Sequence, residues 1–512
     1  MAFDRRKLLM LAGQIGLAAT VPAARLAATP RGDYPFRLGV ASGDPWPDGF
    51  VIWTRLAPRP LDEHGGMPQT AFVVCWEVAH DEGFKAIARK GVTLARPEFG
   101  HSVHVEVEGL QPFRHYWYRF TLTGGEASPV GRARTAPAAG SEVDRLRLAV
   151  AGCQHWEAGF FDAWGHLAAE PDLDLVFHYS DYIYEGASRP LGKNIVRQHV
   201  GAEATCLDDY RRRHAQYKTD PHLQAAHASC AFVTSFDDHE VDNNWAGDHD
   251  QDGTAPERFA VRRRAALQAW YENMPLRRAQ RPGANGPKSF RRLNFGRLLR
   301  MHVLDTRSYR SDQPCNDGKI EPCPISAHDS PTVLGARQES WLRDSLRGGS
   351  RWDLLAQQVL VMPYTRFKKG ESESFTSFDT WDGYRPARER LIGTIREAKP
   401  TNLIIASGDF HRNIVGTLPA RDEAPDGNQV AVEFLASSIS SRGTQPDAAR
   451  EKPANPHLSL VETVRGYHVH EITAQRWRTE VRAMDTVERP GGACSTLAKF
   501  EVQTGRAEVH PI

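Results

Sequence analysis

Asp172-Leu173-Asp174-Leu175-Val176-Phe177-His178-Tyr179-Ser180-Asp181-Tyr182-Ile183-Tyr184-Glu185 is the stretch whose reading decides the fold. Its apolar run 173–177 reads as a short buried strand, and the chain then reaches Asp181, a residue able to hold a metal or a phosphate. The same arrangement recurs: 146–150 before Cys153, 231–236 before Asp238, 301–304 before Asp305, 358–362 before Pro363-Tyr364, and 403–406 before Asp409. In an open α/β sheet, ligands bind outside the carboxyl ends of the strands. Short strands ending in Cys, Asp and His therefore predict one shared, metal-rich crevice, which points to an enzyme.

Working outward, helical stretches at 160–169, 256–273 and 338–346 alternate with these strands, so residues 145–512 are expected to form an α/β domain. Residues 34–136 read differently. Short alternating segments at 50–54, 72–77 and 103–107, separated by Gly, Pro and Asp turns, predict an all-β sandwich. Leu110-Gln111-Pro112 followed by Tyr116-Trp117-Tyr118-Arg119-Phe120 resembles the turn and strand of fibronectin-type modules, with a tyrosine at the sheet corner. Thr135-Ala136-Pro137-Ala138-Ala139-Gly140-Ser141 is a small-residue linker between the two parts.

Residues 1–30 read as an export signal: Arg5-Arg6-Lys7 supplies a basic start, and an apolar stretch rich in Gly and Ala follows. The paired arginines resemble a twin-arginine signal, although Asp4 and Leu8 stand where its usual pattern has Ser and Phe. Beyond the leader no apolar stretch approaches the roughly 20 residues that a membrane helix needs. A formal net charge of +1 over 512 residues, with Lys and Arg scattered, provides no basic field for a stable nucleic-acid complex. Seven cysteines include Cys315 and Cys323, which flank a polar loop that a disulfide could close in an oxidising compartment.

Three clusters carry the chemistry. In the first, Asp181 supplies a carboxylate suited to bridging two cations, and Tyr184 a phenolate suited to a hard trivalent metal, so the pair favours iron(III) over zinc. In the second, Asp237-Asp238-His239-Glu240 runs into Asp242-Asn243-Asn244-Trp245, a density of polar groups that packing alone does not ask for. One carboxylate there would ligate a metal. His239, with an ordinary pKa of roughly 6.5, would face the leaving oxygen or orient the phosphate. In the third, Asp409-Phe410-His411 places Asp and His two apart on an extended segment, on the same side. Cys153, in Ala151-Gly152-Cys153-Gln154, is either a buried thiol or a thiolate ligand, with His155 as the alternative donor.

Taken in order, these motifs resemble the alkaline phosphatase D (PhoD-like) family over nearly the whole mature chain. The phrases that carry the resemblance are Arg37-Leu38-Gly39-Val40-Ala41-Ser42-Gly43-Asp44-Pro45, Asp181-Tyr182-Ile183-Tyr184-Glu185, Asp238-His239-Glu240-Val241, Leu304-Asp305-Thr306-Arg307-Ser308-Tyr309-Arg310 and Ser407-Gly408-Asp409-Phe410-His411. The family usually has Gly before the motif Asp, where this chain has Ser180. The resemblance implies a fibronectin/Ig-like β-sandwich followed by a calcineurin-like αββα metallophosphoesterase domain, exported by the twin-arginine machinery to the periplasm or the exterior. It implies an iron(III) held by Cys153, Asp181, Tyr184 and His411, and a calcium that shares Asp181 and takes Asp238 and Asp409. A second calcium is implied without placed ligands. The expected reaction is hydrolysis of phosphate esters by a metal-activated water, for phosphate scavenging. Asp238 and His239 would act in catalysis, with Asn243, Asn244 and Arg307 at the phosphate. The competing expectation is a dedicated phosphodiesterase or a phospholipase-D-like enzyme acting on phospholipid or nucleotide diesters at the same site.

Overall fold

The computed structural model describes residues 33–283, 286–315, 331–367, 374–375 and 377–512. The leader and Cys323 lie outside these; Cys315 is disulfide-bonded, and Cys75, Cys153, Cys206, Cys230 and Cys494 are free.

Two large sheets face each other. The ten-stranded sheet runs His510–Pro511, Cys494–Gln503, Arg476–Met484, Gly466–Ile472, Leu146–Ala151, Leu175–His178, Ala231–Thr234, Val40–Trp46, Gly49–Arg55 and Ser102–Val107. Its centre is parallel, with Leu175 opposite both Leu148 and Ala231. The seven-stranded sheet runs Arg291–Phe295, Leu299–Val303, Trp352–Ala356, Leu403–Ser407, Gln429–Leu435, Asn413–Pro419 and Leu458–Glu462.

Alternation along each strand sets the layers. Leu146, Leu148 and Val150 turn inward against Leu354, Ile404 and Phe434 of the facing sheet, forming the central core. Ala149 and Ala151 turn the other way, toward Trp164, Tyr217, Leu223 and Trp270 on the helices Asp162–Ala168, Leu207–Lys218, Pro221–Ser229 and Pro256–Asn273. On the far side, Leu355 and Ile405 pack against Leu342, Leu391 and Ile395 of the helices Gly335–Leu346 and Arg385–Ala398. The order is helix, sheet, sheet, helix.

The N-terminal residues form a second pair of layers. A four-stranded sheet of Ile87–Ala95, Phe72–Ala79, His115–Leu122 and Gly131–Arg134 covers Val40–Trp46, Gly49–Arg55 and Ser102–Val107, with Phe50, Ile52, Val74, Val78, Tyr116 and Phe120 between them. The Tyr116 hydroxyl accepts from the Gln111 amide at 2.9 Å and so closes the turn before its own strand. The covered strands also continue the central sheet, because Ser42 pairs in parallel with Ala231. A backbone ladder therefore joins the N-terminal residues to the body of the chain.

One expected strand is absent. Residues 358–362 are buried but irregular, and the ladder position belongs to Trp352–Ala356 just before them. The reason is a buried carboxylate: Glu433 accepts from the Val361 and Met362 amides at 3.1 and 2.8 Å, doing for that backbone what a neighbouring strand would do. At the C-terminus the alternation around Phe500-Glu501-Val502 is realised as the strand Cys494–Gln503, which pairs antiparallel with Arg476–Met484.

Candidate metal centre

The chain leaves the strands Leu146–Ala151, Leu175–His178, Ala231–Thr234 and Leu403–Ser407 at the same end of the molecule. Cys153, Asp181, Asp238 and Asp409 follow within a few residues and converge. Tight backbone turns make this convergence achievable: Cys153, Asp181, Asp409 and His411 all have left-handed backbones, with φ of 49°, 49°, 65° and 52°. Such conformations cost of order 1–3 kcal/mol each in non-glycine residues and persist where a site needs the side chain aimed in one direction. Ser180, at φ 146°, also holds a conformation that glycine adopts more easily. Two neighbouring glycines are required for close approach: a side chain at Gly408 would meet the Tyr179 ring at 2.1 Å, and one at Gly152 would meet it at 2.4 Å.

Asp181 lies at the junction of the cluster. Its Oδ2 receives Cys153 Sγ at 3.2 Å and Tyr184 Oη at 2.9 Å, and His411 Nε2 lies 4.0 Å away. Tyr184 Oη and His411 Nε2 are themselves 3.1 Å apart. Asp181 Oδ1 is buried without a hydrogen-bond partner, as is Asp238 Oδ1. Possible ligand atoms of Asp181, Asp238 and His239 lie within 4.8 Å of one another, as do those of Asp237, Asp238 and Asp409. The donors thus divide into a thiol, phenol, imidazole and carboxylate set on one side of Asp181 and a carboxylate set on the other.

The electrostatics say what is missing. Burial and the neighbouring charge of Asp238 push the Asp181 carboxyl well above its ordinary range. Burial with Asp237 and Asp238 does the same to Asp409, and burial with Asp181 and Asp409 does so to the Cys153 thiol. These groups repel one another by more than the nearby His239 and Arg307 offset at Asp181 and Asp409, so the arrangement suits added positive ions.

Other residues hold the ligands. His239 Nδ1 pairs with Glu185 Oε2 at 2.7 Å, and Glu185 Oε1 accepts from the Asn243 amide at 2.9 Å. Burial alone would lower His239, but Glu185, Asp238 and Asp181 together hold it well above its ordinary value. Glu240 accepts from the amides of Tyr182 and Asp237 at 2.5 and 2.8 Å, locking two of the ligand loops together. Ser441 Oγ sits 2.7 Å from Tyr184 Oη and 2.8 Å from the Cys153 carbonyl, and His411 Nδ1 lies against the Arg442 carbonyl at 3.0 Å.

The sequence-predicted ligands Cys153, Asp181, Tyr184, Asp238, Asp409 and His411 are therefore brought together, with His239 beside them. Asn244 donates its amide to Asp238 Oδ2 at 2.9 Å, and Asn243 Nδ2 donates to Gln251 Oε1 at 2.8 Å. Arg307, expected at the phosphate, is engaged by carboxylates instead of standing open to the cleft. Its fully buried guanidinium donates to Asp379 at 2.7 and 2.6 Å and also binds Asp237, and its Nη2 lies 3.8 Å from Asp238 Oδ1. Sequence reading missed Glu185, Glu240 and Ser441. The first two stand within the quoted motifs and carry a carboxylate without an assigned partner, a usable signal; Ser441 stands in a serine run and offers none.

Comparison with known proteins fits this geometry. A family model described as PhoD-like phosphatase matches residues 148–481, and one described as its N-terminal domain matches residues 20–137. The chain belongs to the PhoD-like phosphatase family. Alkaline phosphatase D of Bacillus subtilis (strain 168) is 43% identical to it over 517 residues, spanning 98% of this chain and 88% of that protein. A solved structure described as "Structure of PhoD" superposes with a TM-score of 0.90 at 42% identity, covering 95% of this chain and 93% of the other. As a member of this family the chain is a hydrolase of phosphoric ester bonds. Among the described residues, no helix is long and apolar enough to cross a membrane.

Proposed function

We propose that this protein is an exported, metal-dependent alkaline phosphatase and phosphodiesterase that releases phosphate from esters of broad structure. The observation that carries the reading is Asp181, which contacts the thiol, phenol and imidazole set through Oδ2 and has an orphaned Oδ1 on the side of Asp238. A thiolate, a phenolate, an imidazole and a carboxylate match iron(III), with Cys153, Tyr184, His411 and Asp181 as its holders. The hard oxygen set of Asp181, Asp238 and Asp409 matches calcium. When bound, these ions supply Lewis acidity toward phosphoryl oxygens and a nucleophilic water near neutral pH.

The chain's own groups do the rest. Glu185 fixes His239 through Nδ1, so the remaining ring nitrogen is the one offered to the leaving oxygen, and the Glu185 carboxylate stabilises the charged imidazolium from which a proton can pass to the alkoxide. The Asn244 backbone amide holds Asp238 in place, which keeps Asn244 beside the carboxylate set as a candidate phosphate contact. The helix, sheet, sheet, helix order supports a calcineurin-like body at 145–512. The two layers around Tyr116 support a fibronectin/Ig-like module at 34–136. The Arg5-Arg6 leader at 1–30 supports twin-arginine export to the periplasm or beyond, and phosphate scavenging follows from a phosphatase in that place.

The test is hydrolysis of a chromogenic phosphate monoester and its matching diester by metal-analysed protein lacking the leader, with and without a chelator. Chelator-sensitive turnover is expected, together with iron that Cys153→Ala loses. Turnover of the diester alone would move the reading to a dedicated phosphodiesterase. Full activity in metal-stripped protein would sink the proposal.

A further inference from the structure

His155 lies between the metal centre and the cleft rim, and its hydrogen bonding does not close. Its ring sits 4.2 Å from that of Tyr184. The Glu157 amide points at Nδ1 from 3.1 Å, and the Arg189 guanidinium points Nη2 at Nε2 from 2.9 Å. A neutral imidazole has one accepting nitrogen, and its other nitrogen carries a proton. Two donors therefore aim at a ring that can accept only one. The Glu157 amide is buried and has no water to turn to, whereas the Arg189 side chain is 52% exposed, so the conflict falls at the exposed end. There an N–H of His155 and an N–H of Arg189 face each other, an arrangement that an anionic acceptor lying across both would satisfy.

Arg189 is also built to stay in place. Buried Glu157 holds its Nε at 2.7 Å and its backbone amide at 2.9 Å, leaving the Nη1 end without a protein partner among the described residues. The adjoining wall has an excess of positive charge: Arg442 and Arg465 share Glu488 at 2.8 and 4.0 Å. Exposed Lys193, whose carbonyl lies 3.4 Å from Arg442, adds another cation. Arg442 is tied to the centre through its own carbonyl, against which His411 Nδ1 rests.

We propose that Arg189 and His155 form a subsite for a second anionic group of the substrate, a phosphate or carboxylate on the ester arm beyond the scissile phosphate. This rests on the phosphoesterase reading and adds a substrate class to it: phosphoesters with a second negative charge one arm away are preferred over those with a neutral arm.

Two chromogenic diesters test it, sharing a 4-nitrophenyl phosphate and differing at the end of the second arm, one in a hydroxyl and one in a phosphate. The unsubstituted protein should show the lower KM for the phosphate-ended ester. Arg189→Gln should raise that KM about tenfold while moving the KM of the hydroxyl-ended ester by less than about twofold. Arg189→Glu should reverse the preference. If Arg189 only tethers its loop to Glu157, both substitutions will weaken both esters alike; that result, or an unchanged preference in Arg189→Glu, overturns the subsite. Hydrolysis of neither ester by unsubstituted, metal-replete protein that still turns over the monoester would sink the diesterase part of the proposed function and this inference with it.

Discussion

Two clusters of buried charge lie side by side in this molecule and are built on opposite principles. Around Arg307, each charge has an internal partner: the guanidinium binds Asp237 and both oxygens of Asp379, while Arg310 donates to the same Asp379 at 2.7 Å. Around Asp181, the acidic donors face one another, and oxygens of Asp181 and Asp238 are buried without partners. A buried carboxylate is tolerated only when something offsets its charge. Where the chain supplies enough cations, the cluster is scaffolding; around Asp181 and Asp409, which stay raised despite His239 and Arg307 nearby, the cluster is suited to ions from outside. Asp237 belongs to both, with Oδ1 on Arg307 and Oδ2 unpaired beside Asp238 and Asp409.

Substitution should separate the two principles. Asp181→Asn removes the shared carboxylate of the unbalanced cluster and should lower kcat/KM by about a thousandfold or more, since ion-assisted catalysis supplies several kcal/mol. In metal-stripped protein at pH 8 the same substitution should raise the melting temperature, because it removes a carboxyl whose charged form burial and Asp238 disfavour in the folded state. A destabilised, metal-free Asp181→Asn protein would break the comparison.

Arg307→Met addresses the balanced cluster. It leaves Asp237 buried without its cation and Asp379 with Arg310 alone, and should cost about 3–5 kcal/mol in urea unfolding whether or not metal is present. Were Arg307 a phosphate contact, the result would instead be a raised KM with stability intact.

This difference also explains what the sequence could and could not disclose. The convergence of the candidate ligands was legible because each follows a short apolar strand, and strand ends are where an α/β sheet presents polar side chains. Asp181-Tyr182-Ile183-Tyr184 and Asp409-Phe410-His411 needed only that rule and the ligand chemistry. Arg307 follows a strand of the same kind, Leu299–Val303, but its carboxylate partners were not foreseen, because a strand-end position fixes where a side chain starts and not what neutralises it. Its partner Asp379 lies 72 residues away, in a segment without a motif. The run 358–362 failed for a related reason: apolar composition signals burial, while Glu433, which satisfies its amides, comes from another strand. Long-range charge pairing decided both cases, and a local pattern does not encode it.

A smaller effect is expected at the contact that orients His239. Glu185→Gln keeps the size of the side chain but removes the charge 2.7 Å from Nδ1, and should lower kcat about 10–100-fold, in line with losses of supporting carboxylates at metal sites. Because Glu185 raises His239, the basic limb of the kcat profile should also move to lower pH. A drop in kcat without that movement would show that Glu185 only packs.

The smallest effect, and the most direct reading of the missing charge, is the pH dependence of the metal-stripped protein. Burial, only partly opposed by the Asp237 and Tyr182 amides that it accepts, pushes Glu240 up to about 8, and Asp181 and Asp409 are also raised. A carboxyl raised on folding keeps its proton in the native state after the unfolded chain has lost it. Its contribution to stability is therefore present at low pH and disappears as pH climbs from roughly 4, the unfolded value, through the folded value. His411 works in the opposite sense: burial lowers it to about 4, so its effect is confined below roughly 6.5. Between pH 6.5 and 8.5 the carboxyls act alone in the cluster with His239, whose raised value has the same sign. Chelated protein should lose on the order of 1 kcal/mol of stability per pH unit across that window, while metal-loaded protein, in which ions replace the shared protons, should hold level. The gap between their melting temperatures should widen with pH, and Asp181→Asn should reduce the widening. A gap independent of pH would place the ions elsewhere than on these carboxylates and remove the reason for treating the two clusters as opposites.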